Sequence, residues 1–405
     1  MRTIVELPSN LSLPRYNGRS IVNLANSILK ALGVPVKGCC LCKELDSKIL
    51  TEKILLVLLD GLCLDVVKKI CSEDDYLSKA LKSIDEITTV FPTTTPTALT
   101  SLSTGLAPGQ HGVLGCVMYF RELGLLVNTL NLSPMSRPDE RDGLLKLGVD
   151  VSQLFYIDST IFEELSYSGI RSLVLIPKGL KNGISRLIYK GAEIQEYASF
   201  QEAIVEAVQF LNSLDRGLAY VYSPQPDEVA HRRHVESEHY YETVRELLYS
   251  TVKIVSKNVY APITLIITSD HGLVDSQERD LIDMMKFRKL LEILEVPPFG
   301  ESRASFLKVN KEFMESIESI EDIQLIKNLG FTVLSKQDII EMGLLGPEVR
   351  KEITWRLGDY VLLSTGSRYL RYSYNLQEKE REPLKAVHGS LLPEEVNIPL
   401  IITNF

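Results

Sequence analysis

The chain has 405 residues, 45% of them hydrophobic, with 44 basic and 53 acidic side chains and a net charge of -9. That length exceeds one ordinary domain and supports a large core. The acidic balance argues against a general binder of nucleic-acid backbone or duplex, which would be basic, yet it permits a small anionic substrate held through metal ions.

No run reaches about 18 uninterrupted apolar residues, so no membrane span is expected. The opening MRTIVELPSNLSLPRYNG lacks the apolar stretch of a signal peptide. A soluble, cytoplasmic protein without membrane partners is the expectation. The cysteine cluster Cys39, Cys40 and Cys42 has no second pair at zinc-ribbon spacing, so it reads as reduced or locally disulfide-bonded thiols.

In chain order, residues 1–50 read as an N-terminal arm carrying one helix around 20–32. The run KILLVLL (Lys53–Leu59) is almost wholly apolar, as buried parallel strands are, and it ends at Asp60-Gly61. Similar short runs follow at 172–176, 218–222, 263–268 and 398–402. Amphipathic stretches of helical period at 200–214 and 239–255 lie between them. Strands alternating with helices predict an α/β fold, layered around a mainly parallel sheet. After Asp275 the character changes. Residues 276–382, with a charged helical run near 311–329, read as a smaller α+β insertion lobe. The core is then 51–275 together with 383–405.

Several residues carry metal or nucleophile chemistry. Asp60, Asp227, Asp270 and His271 follow the C-terminal ends of predicted strands, the edge where open α/β sheets place ligands. Asp227 and His231 in PDEVAH are four apart, so on a helix they share a face and can grip one ion. Asp270-His271 sets two potential ligands at the mouth of a buried strand. His388 stands far away in sequence. His234 and His239 read as surface histidines. The segment FPTTTPTALTSLSTGLAPGQHG (residues 91–112) is dense in hydroxyls and turn formers. It reads either as a hydroxyl-capped helix start or as a nucleophile placed where amides and the helix dipole favour a phosphate oxygen. A threonine hydroxyl needs a metal or base to become a good nucleophile.

The segments LLDG, FPTTTPTALTSLSTGLAPGQHG, PDEVAH, TSDHG and VHGS, in that order, resemble the alkaline phosphatase superfamily. The likeness is closest to its nucleotide pyrophosphatase/phosphodiesterase branch. The resemblance implies a three-layer α/β sandwich of alkaline phosphatase type. It implies Thr95 as nucleophile, with Thr94 and Thr93 as alternatives. It also implies two divalent metal ions, zinc by preference, with manganese or another divalent ion as alternatives. One ion would lie on Asp227, His231 and His388, the other on Asp60, Asp270, His271 and the Thr95 oxygen. His111 matches a position that is not a ligand in the family. At Ala98 the sequence departs from the asparagine expected three residues after the nucleophile. Arg121, Arg232, Arg233 and Arg303 are candidates for anion contact instead, although each reads first as a solvated surface arginine.

The expected activity is hydrolysis of a phosphodiester or phosphoric anhydride, of a nucleotide by preference, through a covalent phosphothreonine. Phosphomonoester or phosphonate hydrolysis at the same site is the alternative. A non-catalytic, metal-stabilised binding module is the remote one. A sulfatase or a phosphoglycerate mutase is disfavoured, because their nucleophiles are usually a modified Cys or Ser and a Ser.

Overall fold

The computed structural model describes residues 7–314, 317–375 and 382–405. KILLVLL forms β1 (Lys53–Leu59), and six of its seven residues are buried. Because side chains alternate along a strand, its two faces feed two cores. Ile54, Leu56 and Leu58 pack on one side with Ile21, Leu24 and Ile28 of the helix Ile21–Ala31. Leu55, Val57 and Leu59 pack on the other with helices Phe200–Asn212 and Glu238–Asn258. Each fully buried aliphatic contributes roughly 1.5–3 kcal/mol, so this strand alone anchors three layers.

Seven strands make the central sheet. β2 (Asp85–Thr88) lies at one edge, followed by the C-terminal strand Asn397–Asn404, then β9 (Thr264–Thr268), β1 and β8 (Gly217–Ser223). β6 (Arg171–Pro177) and β7 (Glu193–Tyr197) complete it. β9, β1, β8, β6 and β7 run parallel, while Asn397–Asn404 is antiparallel to both of its neighbours. The sheet is therefore mainly parallel, as the alternating pattern predicts.

A second, antiparallel sheet draws its strands from two separate segments of the chain. Its order is Phe331–Ser335, Tyr360–Ser364, Ala304–Leu307 and Phe299–Gly300, followed by β3 (Val117–Phe120), β4 (Leu125–Asn128) and β5 (Ser133–Pro134). Its first four strands come from 276–382, but the last three belong to the earlier segment 117–134. The two parts are joined where Gly300 pairs with Val117. The charged stretch near 311–329 is not one helix. It breaks into the short turns Lys311–Phe313 and Ile317–Ser319 before the helix Glu321–Asn328. No described helix is long and apolar enough to cross a membrane. All six cysteines are free.

Candidate active site

The three central strands β9, β1 and β8 are neighbours, so the residues beyond their C-terminal ends converge. Asp60 directly follows β1, and Asp270-His271 follows β9 after one residue. Asp227 and His231 sit on the helix Gln225–Arg233 after β8. His388 follows the short strand Ala386–Val387. Thr95 opens the helix Thr95–Thr104. Gly61 makes the approach possible: it has φ +65°, and a Cβ there would stand 2.9 Å from Asp227 Cβ.

The ligand atoms form two mutually close groups. Asp60, Asp270 and His271 make one, and Asp227, His271 and His388 the other, each with all atoms within 4.8 Å. His231 stands slightly apart from the second group. Its Nε2 is 3.1 Å from Asp227 Oδ2, and its ring centroid is 5.4 Å from that of His388. His271 and His388 stack at 3.8 Å.

Backbone carbonyls orient all three imidazoles. The Nδ1 atoms of His231, His271 and His388 face the carbonyls of Ala386 (2.7 Å), Gly272 (3.0 Å) and Thr93 (2.9 Å). A carbonyl only accepts, so each Nδ1 carries a proton, which leaves Nε2 as the atom that could ligate a metal.

Three buried carboxylate oxygens, Asp60 Oδ1, Asp227 Oδ1 and Asp270 Oδ2, have no hydrogen-bond partner among the described residues. They lie 3.5, 4.0 and 3.6 Å from the Nε2 of His271, His388 and His271 respectively. Two ligands each about 2.0–2.1 Å from a tetrahedral zinc stand about 3.4 Å apart, so this donor set fits divalent cations. Burial, then the charges of Asp270 and Asp227, pushes the Asp60 carboxyl well above the ordinary carboxylate range. Burial opposes ionisation of Asp227 as well, but His231, His388 and His271 outweigh it and hold that carboxyl low. Crowded, orphaned carboxylates of this kind call for a cation.

Of the three consecutive threonines, only Thr95 faces the ligands. Its Oγ1 is 3.5 Å from Asp60 Oδ2 and 3.3 Å from His271 Nε2. The Thr93 hydroxyl donates to the Ser390 carbonyl and accepts from the Gly389 N–H. The Thr94 hydroxyl meets the Cys116 thiol at 3.4 Å. Ala98 is buried in the core on the same helix.

The arginines fall elsewhere. Arg303 is wholly buried against Glu395 and is not placed for substrate. Arg121 lies over the Trp355 ring, and Arg232 pairs with Glu228 on the surface. Arg233 is exposed beside His234. His111 is structural: its Nδ1 accepts the Val113 N–H and its Nε2 therefore donates to Ser101 Oγ at 2.9 Å. Burial lowers its pKa to about 3, which keeps it neutral.

Sequence reasoning missed Tyr222, whose hydroxyl donates to Asp60 Oδ2 at 2.5 Å and leaves Oδ1 facing the site. The signal was available only through the register, since Tyr222 pairs beside Leu58 in the parallel sheet. Glu301 was also missed. Its Oε1 accepts the Cys116 N–H at 2.5 Å, close behind Thr94.

Fold and site together define a hydrolase of the alkaline phosphatase superfamily. The family model for type I phosphodiesterase/nucleotide pyrophosphatase matches residues 54–390. The chain belongs to that family, which is metal-dependent. Among solved structures it is similar to murine ectonucleotide pyrophosphatase/phosphodiesterase 5, with 19% identity and TM-score 0.63 over 86% of this chain and 87% of that one. An inactive threonine-to-alanine variant of that murine protein, in complex with AMP, matches at 20% identity and TM-score 0.61, over 86% of this chain and 87% of that one. Phosphonoacetate hydrolase from Sinorhizobium meliloti 1021, in complex with phosphonoformate, matches at 18% and 0.58, over 86% of this chain and 89% of that one.

Proposed function

We propose that the chain hydrolyses phosphodiesters or phosphoric anhydrides, of nucleotide type, through a covalent phosphothreonine at Thr95 in a two-metal site. The observation that carries this reading is the aim of Thr95 Oγ1 into the histidine–carboxylate cluster while Thr93 and Thr94 are engaged elsewhere. Asp60, Asp270, His271 and Thr95 would hold one divalent ion, and Asp227, His231 and His388 the other. Their mixed imidazole and carboxylate donors suit zinc, with manganese or another divalent ion as alternative. When bound, such ions lower the pKa of a hydroxyl or water and neutralise phosphoryl charge.

The chain's own groups do the rest. Thr95 Oγ1 attacks phosphorus, a Thr–O–P bond forms, and the bond to the leaving oxygen breaks in line. Water then cleaves the phosphothreonine and restores the hydroxyl. The first-turn backbone of the Thr95–Thr104 helix favours the anionic phosphoryl group. The inactivity of the threonine-to-alanine variant of the murine neighbour supports a threonine nucleophile.

The test is hydrolysis of bis-p-nitrophenyl phosphate by metal-loaded wild type, Thr95→Ala and His388→Ala, with metal content assayed alongside. The expected result is turnover by wild type alone, with Thr95→Ala retaining its metal. Intact turnover in Thr95→Ala would move the nucleophile to Thr94 or water. Phosphonate hydrolysis is the second reading, favoured by the likeness to phosphonoacetate hydrolase. Wild type that releases phosphate from phosphonoacetate but leaves the diester intact would establish it.

A further inference from the structure

A cavity of about 230 Å³ is lined in part by Cys116, whose thiol stands 3.4 Å from the hydroxyl of Thr94, the residue before Thr95. Cys116 and Glu301 form the end nearest the catalytic threonine. Gly389, next to His388, approaches so closely that a Cβ there would come within 3.0 Å of Glu301 Cβ. Beyond this end the wall is mainly apolar and aromatic, with Met135, Met284, Phe299, Leu370, Tyr372 and Tyr374. The size and position suit the substituent that a phosphorus ester carries beside its reacting bond.

Among the described residues, Glu301 is the one acidic side chain of that lining; burial raises its pKa, against the hydrogen bonds from Cys116 and Thr94. The Cys116 N–H donates to its Oε1, so this oxygen is held as an acceptor. No lysine, arginine or histidine among the described residues forms an ion pair with it. Arg371, the other charged residue of the lining, has an interaction of its own. An acceptor carboxyl among aromatic rings attracts cations and hydrogen-bond donors, and it repels a second anion.

Resting on the diesterase reading above, we propose that Glu301 is a specificity residue selecting phosphodiesters whose second substituent is cationic or uncharged. It selects against second substituents that bear phosphate or carboxylate. Like charges juxtaposed in a partly dry cavity discriminate strongly, whereas the metal ligands treat the reacting phosphoryl group alike in all these substrates.

The test uses two matched diesters with one leaving group, p-nitrophenyl 2-aminoethyl phosphate and p-nitrophenyl carboxymethyl phosphate. Metal-loaded wild type is expected to show kcat/KM at least about tenfold higher for the cationic ester, and Glu301→Gln to reduce that ratio to about twofold or less. The proposal is overturned by a wild-type ratio near one or inverted, or by a ratio that persists in Glu301→Gln. Should that variant not fold, the wild-type ratio decides alone. Absence of turnover on both esters by metal-loaded wild type would instead sink the diesterase reading itself.

Discussion

Arg303 and Glu395 form a wholly buried, two-pronged ion pair, Nε to Oε1 at 2.8 Å and Nη2 to Oε2 at 2.9 Å. Glu395 also accepts the N–H groups of Ser390 and Leu392, and its carbonyl accepts the Gly272 N–H. Glu395 thus fastens the loop after His388 through its carboxylate, and the turn after His271 through its carbonyl, to the second sheet. Removing one partner of a buried pair strands the other charge and costs about 3–5 kcal/mol, whereas replacing both with apolar groups is often neutral. Arg303→Met is therefore expected to lower the denaturation midpoint sharply, and Arg303→Met/Glu395→Met to recover part of it, since the Ser390 and Leu392 N–H groups then lose their acceptor. Chemical denaturation of the three proteins checks this, and equal midpoints for single and double variants would refute it.

Metal removal should destabilise the fold. The orphaned oxygens of Asp60, Asp227 and Asp270 gain a partner only with a cation. An ion at a hundred times its Kd adds about 2.7 kcal/mol per site. Chelation is expected to lower the Tm of wild type by several degrees. Asp270→Asn should blunt that shift. Calorimetric scans with and without chelator read both effects, and a chelator-insensitive wild type would count against the metal sites.

Tyr222→Phe should weaken metal binding without disturbing the fold. The hydroxyl it loses orients Asp60 from behind. Partners that orient a ligand typically contribute 10–100-fold in metal affinity. Competition with a coloured chelator measures this directly. Unchanged affinity would leave Tyr222 a packing residue only.

Gly61→Ala should damage the site more than the fold. The residue sits at φ +65°, and its new Cβ would meet Leu273 Cδ1 at 2.8 Å and Asp227 Cβ at 2.9 Å. The backbone strain alone costs about 1–2 kcal/mol. Displacement of Asp227 should in addition lower the metal content. A variant with full metal occupancy and wild-type turnover would show that the turn adapts.

The predicted strands at 172–176, 218–222, 263–268 and 398–402 all appear in the central sheet, because strands buried on both faces are almost wholly apolar and stand out. β2 and β7 were not legible. They are edge strands of sequence DEIT and EIQEY, half exposed, and polarity there protects against unwanted pairing. The contribution of 117–134 to the second sheet was hidden for another reason. That segment joins the other strands where Gly300 pairs with Val117, a meeting of distant parts of the chain that no local pattern announces. Asp60, Asp227, Asp270 and His271 could be read because they follow apolar strand runs, whereas Thr95 was singled out by the family's motif among three threonines. Arg303, read as a surface arginine or a candidate for anion contact, is neither, since its partner lies 92 positions away and only folding reveals the burial.

The place of Asn397–Asn404 between β2 and β9 bears on how the molecule is assembled. Ile87 pairs with Ile398, so β2 waits for a partner about 300 residues further along, a separation that makes closure slow. Until then the outer side of β9 is an unpaired, apolar edge. The chain is therefore most open to aggregation late in folding, and a ligand able to dock against that edge would act as an inhibitor of maturation rather than of turnover.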